Sequence, residues 1–164
     1  MKDESLNLSQ DLIEFTNVCD ILSQIKSGQL WVVNSRRRNG LILYKDFHAE
    51  FAGPGAAVGS FFDLHCRRAV PVGDLSLVSP TTQEERQKAY LIRRQWIRLT
   101  QQFTDNQVPL QRAQMILKQF ENYFSPETVA QVPDEAFALL VGVLPQTMGA
   151  LRRDAEPVDS SSRV

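Results

Sequence analysis

The sequence predicts an α+β fold, mainly helical, because the spacing of its apolar residues changes twice. Before residue 28 and after residue 80 they recur at three- and four-residue steps, as on amphipathic helices. Between those limits they fall in short β-like runs set off by Gly, Pro and Asn. The third observation is the segment 134–153, DEAFALLVGVLPQTMGALRR, which reads as two short helices joined by a tight turn. The expected organisation is an N-terminal α+β region over 1–80 and a helical region over 81–153. The latter ends in a helix-turn-helix without a wing at 134–153, and a disordered tail follows over 154–164.

Composition bounds the function. At 164 residues with 43% hydrophobic content, the chain is large enough for one ordinary domain or two small ones with a packed core. A net charge of −1 excludes a general nucleic-acid coat, so any DNA contact must come from local patches. Two cysteines, Cys19 and Cys66, make neither a disulfide framework nor a zinc ribbon. The sequence has no apolar stretch of about 20 residues and no signal peptide at its start, which predicts a reduced, cytoplasmic protein with no membrane partner.

In chain order, Ser9 can cap a helix running to about Lys26, with Gly28 ending it. Leu12, Phe15, Cys19, Leu22 and Ile25 form its stripe, which places Cys19 in the core. Leu30–Val33 and Leu41–Tyr44 read as strands, and Asn39-Gly40 between them signals a β-hairpin. Its loop carries Arg36, Arg37 and Arg38, suited to a solvated turn or to phosphate contact. Gly53-Pro54-Gly55 breaks the chain, and Ala56–Phe62 suits a short helix or strand. Ala69–Val72 and Leu75–Val78 read as strands broken at Gly73.

Asp46, His48, Asp63, His65 and Cys66 match no compact zinc spacing, so no metal is expected. No nucleophile elbow and no Gly-rich phosphate loop occur, and no enzyme activity is expected.

Thr82 and Glu85 form a capping-box pair that opens a helix to about Phe103. Ala89, Ile92, Trp96, Leu99 and Phe103 mark its apolar face. Arg86, Lys88, Arg93, Arg94 and Arg98 populate the others. Pro109 opens a further helix to about Phe124, with Leu110, Ala113, Leu117 and Phe120 on one stripe, suited to support the helix-turn-helix. Ser125-Pro126-Glu127 starts one short turn of helix, which Val132-Pro133 ends.

In segment 134–153, Ala138 is small enough to face a steep helix crossing, and Gly142 tolerates the positive φ of the turn. Val143 can plug the corner. Pro145 fits the first turn of the second helix, and Met148 with Leu151 supplies its buried face. The run GVLPQTMGALRR resembles the helix-turn-helix of the Crp/Fnr regulators, whose recognition helix carries a Thr-Val-Gly run where Thr147-Met148-Gly149 stands here. The resemblance covers roughly the last third of the chain.

In that family, side chains early in the recognition helix and one in its middle read base edges. Those positions are Pro145, Gln146 and Ala150 here, where the family usually carries Arg, Glu and Arg. The resemblance implies a sequence-specific DNA-binding transcriptional regulator. Gln146, Thr147 and Ala150 would face double-stranded DNA, with Arg152 and Arg153 on phosphates. It also implies a homodimer paired through residues 83–103. The alternative is a protein-interaction module built on a degenerate helix-turn-helix, with Leu144, Pro145, Met148 and Ala150 as contact surface for a protein partner. The string Val72-Gly73-Asp74-Leu75 is similar to part of the family's cyclic-nucleotide cassette. About 50 residues are too few for the family's β-barrel sensor, however, and no cofactor is expected.

Overall fold

The computed structural model describes residues 12–14 and 18–155, with side chains from residue 20 to residue 154. Seven strands form two antiparallel sheets. They are β1 (Leu12–Glu14), β2 (Leu30–Val33), β3 (Gly40–Tyr44), β4 (Ala49–Ala52), β5 (Ala57–Gly59), β6 (Arg68–Val72) and β7 (Ser76–Val78). The first sheet has the order β1-β7-β2-β5 and the second β4-β3-β6. The nested pairs β2–β7 and β3–β6 lie in different sheets. The helices are α1 (Val18–Ile25), α2 (Gln83–Thr104), α3 (Pro109–Tyr123), α4 (Pro126–Gln131), α5 (Asp134–Val141) and α6 (Pro145–Ala155).

The alternation of side chains along the strands sorts the two cores. Leu41 and Leu43 of β3 join Val33, Val58, Ala69 and Leu77 between the sheets, closed by Ile21 and Ile25 of α1. Ile42 and Tyr44 point the other way, with Phe51, Val70 and Val72, onto the helices α3–α6. All five residues of β3 are therefore buried, because both faces of its sheet are covered. The molecule has three layers: sheet, sheet, helices. Trp96 of α2 packs against both cores and donates its indole N–H to Pro54 O at 3.3 Å. Packing thus crosses residue 80, where the sequence suggested a boundary.

Several expectations are corrected. Of the long N-terminal helix expected over 9–26, Val18–Ile25 is helical among the described residues; Leu12–Glu14 is a strand paired with β7. A three-residue strand completes a sheet edge there, and that pairing overrides the helical period of the stripe. Ser9 and the side chains of Phe15 and Cys19 lie outside the described residues.

The hairpin at Asn39-Gly40 does not form, because β2 and β3 belong to different sheets. Asn39 is fully buried and works as a staple instead. Its amide donates to Asn34 O and Arg37 O, each at 3.0 Å, and its carbonyl accepts from Ser76 N at 3.1 Å. The tight hairpin is β3–β4, joined by Lys45–His48, with Tyr44 opposite Ala49. The segment of about 50 residues, expected to be too short for the family's β-barrel sensor, forms two sheets from strands of three to five residues. On α3, Leu110 is 48% exposed and Ala113, Ile116, Leu117 and Phe120 carry the buried stripe.

Candidate nucleic-acid interface

The segment from α5 to α6 owes its shape to one backbone switch. α5 buries Ala136, Phe137, Ala138, Leu140 and Val141, so it is held on nearly all sides. It stops at Gly142, which adopts φ 68° and ψ 45° in the left-handed region. The Gly142 and Val143 N–H groups both donate to Ala138 O. Arg112 of α3 satisfies two further carbonyls, with Nε donating to Val141 O at 2.8 Å and Nη2 to Gly142 O at 3.0 Å. The chain restarts at Pro145, and Leu144 O accepts from Thr147 N and Met148 N.

Two residues seat α6. Met148 is fully buried in the helical core, and Gly149 lies over Asp134, whose Oδ2 would be 3.0 Å from an added Cβ. Ala138 lies buried on the α5 side. Val143 and Leu151 are partly buried against the same core, as the sequence placed them. The opposite face of α6 carries Gln146, Ala150 and Arg153, all exposed and spaced by four and three residues. Pro145 is exposed beside them, and Thr147 is half-buried at their edge.

Arg152 is spent on other work than phosphate contact. Its Nη1 donates to Val132 O at 2.6 Å and to Asp134 Oδ1 at 2.8 Å, and its Nη2 to Val129 O at 2.9 Å. The guanidinium also lies 5.1 Å from the centre of the Phe137 ring. It caps the carbonyl end of α4 and clamps α6 to α5, so the phosphate contact expected of it is not open to it. Met148, expected on a protein-contact surface, is likewise removed from that role by its burial.

Arg36, Arg37 and Arg38 are exposed on the loop between β2 and β3. Arg38 donates to Tyr123 O at 3.3 Å and lies over the Tyr123 ring. With Arg37 it borders an open cleft whose other wall is Glu127, Thr128 and Gln131 of α4. These arginines therefore flank α4 and the end of α3, not the exposed stripe of α6.

A second cluster escaped the sequence reading. Arg93, expected on a solvent face, is 7% exposed and lies on the stripe Ala89–Arg93–Trp96–Thr100 of α2. It donates to Asp63 Oδ2 at 3.1 Å, to Asp63 Oδ1 at 3.2 Å, to Glu50 Oε1 at 3.3 Å and to Ala57 O at 3.0 Å. Asp63 is fully buried and also accepts from Lys45 Nζ at 2.6 Å and Gly59 N at 2.7 Å. Burial pushes the Asp63 carboxyl up, but the Arg93 guanidinium, aided by Lys45, outweighs it and holds the group below the usual carboxylate range. Its four-residue step from Ala89 and three-residue step to Trp96 were the signal that could have placed Arg93 inside. Of the residues weighed as metal ligands, Asp63 is thus committed to cations, His48 lies 3.6 Å from Glu50, and Cys66 is buried with its thiol donating to Arg68 O.

No protein-family model matches the chain, and no curated protein or solved structure shows significant similarity to it. No helix among the described residues is long and apolar enough to cross a membrane.

Proposed function

We propose that this chain is a DNA-binding transcriptional regulator that lays α6 in a major groove. The observation that carries the reading is the left-handed break at Gly142, which leaves Gln146, Ala150 and Arg153 on one exposed face while Met148 anchors the other. Gln146 has the geometry to pair bidentately with adenine, and the Ala150 methyl suits the methyl of thymine. Thr147 and Arg153 reach toward phosphates and set register, the role that Arg152 is too engaged to fill. Two copies, paired along α2, would read half-sites about one helical turn apart.

Selection of bound sequences from random duplex DNA tests the reading. Enrichment of a two-fold-symmetric site supports it, and Gln146→Ala should then relax specificity at one position at a cost of about 1–3 kcal/mol. Affinity should fall steeply with salt, and Arg153→Ala should flatten that slope by about one unit. A second reading, a protein-interaction module, is favoured by Leu144, which stands 69% exposed at the turn beside Pro145. Recovery of no enriched site, with retention on bulk DNA indifferent to salt, would decide for it.

A further inference from the structure

An open cleft of about 600 Å³ lies between the β3–β4 loop, the turn over Ser60–Asp63 and the middle of α2, far along the sequence from the helix-turn-helix. Its walls are aromatic. Phe47 is 93% exposed and Phe62 64% exposed, although each would gain by leaving water. Phe62 meets Tyr90 edge-on, with centroids 5.2 Å apart, so this part of the wall is already in place without a ligand. Ser60, at φ 56°, is the one non-glycine residue among those described with positive φ, and it opens the turn that presents Phe62.

The cleft's charges are paired, with one exception. Lys45 and Arg93 hold Asp63, Glu50 holds Arg93 and approaches His48, and Asp46 holds Arg67. Arg94, exposed at the edge, makes no ion pair or hydrogen bond among the described residues. Arg93, on the floor, keeps a buried Nε–H without an acceptor.

The geometry points to a binding site for a small planar aromatic anion, its ring system against Phe47, Phe62 and Tyr90 and its acid group on Arg94. The volume is that of a drug-sized ligand pocket, and apolar walls with a few polar groups are the usual make-up of such sites. A cation at the edge of an aromatic wall selects for charge as well as shape. The site shares no residue with α5 or α6, although Tyr90 and Arg94 lie on α2, the helix along which the DNA-binding reading pairs two copies.

The test uses the full chain without DNA and two fluorescent probes of similar shape: 8-anilinonaphthalene-1-sulfonate, which is anionic, and N-phenyl-1-naphthylamine, which is neutral. Saturable one-site binding of the sulfonate is expected. Arg94→Ala should weaken it about tenfold and leave the neutral probe unchanged, while Phe47→Ala weakens both. Both side chains are exposed, so thermal unfolding of the variants should match the parent. Gln146→Ala with Arg153→Ala should leave probe binding intact, which separates this site from α6. Equal binding of the sulfonate to the parent and to both cleft variants would overturn the proposal. So would binding that appears only when a dimer is diluted to monomer in sedimentation, because a second copy would then own the cleft.

Discussion

Asp63 is fully shielded from water, yet it is a charged group, and what keeps it so is the pair of cations on Arg93 and Lys45. Removing the acid leaves Arg93 and Lys45 with Glu50 as the one remaining carboxylate beside Arg93 among the described residues, so Asp63→Asn should cost about 3–5 kcal/mol in denaturant unfolding. The same pairing sets a pH dependence. The folded-state carboxyl titrates below its unfolded value, so its stabilisation is fully present above the unfolded value near 3.8. It drains away as pH falls toward the lower folded value. Unfolding curves recorded from pH 7 down to pH 3 should show the loss beginning only below about pH 5, and Asp63→Asn should remove that part of the slope.

At the same scale, Arg152 and Arg153 are adjacent in sequence but opposite in use. Arg152→Ala releases the carbonyls of Val129 and Val132 and should lower Tm by several degrees. Arg153→Ala, whose side chain is exposed, should leave Tm unchanged.

Among the elements, α5 and its turn show how little the bend needs. A Cβ added at Gly142 would meet nothing within 4 Å, so Gly142→Ala pays backbone strain alone, about 1 kcal/mol, and calorimetry should show a drop of a few degrees. This bend was legible in the sequence because Gly142, Pro145 and Met148 each have one backbone or packing reason for their place. The starts of α2, α3 and α4 were legible for the same reason. The Thr82 hydroxyl accepts from Glu85 N, Pro109 opens α3, and the Ser125 hydroxyl accepts from Thr128 N. Which strand pairs with which was not legible. Asn39-Gly40 has the local chemistry of a hairpin turn, and only the distant Ser76, whose N–H Asn39 captures, turns the chain into the other sheet. Arg93 was missed for a related reason: a charge looks exposed until its carboxylates, 30 and 43 residues away in sequence, are known.

For the whole molecule, the rings of Trp96, Phe51, Phe120 and Phe137 form a continuous series of contacts. Successive centroids are 5.4, 5.0 and 5.0 Å apart, running from α2 through the second sheet to α5. Sheet and helices thus share one core, and unfolding should be a single cooperative event. Fluorescence of Trp31, between the sheets, and of Trp96, against both cores, and far-UV ellipticity, dominated by the helices, should trace coincident transitions. Phe51→Ala, at the centre of the series, should lower both together by about 3–5 kcal/mol.

The double-sided burial of β3 bears on how this chain can be handled. A fragment beginning near residue 81 would carry α2 to α6, but would bare the apolar seat that Ile42, Phe51, Val70 and Val72 now occupy. Such a fragment should sediment as aggregate. Whoever wants α6 in isolation is therefore obliged to carry the middle sheet along with it.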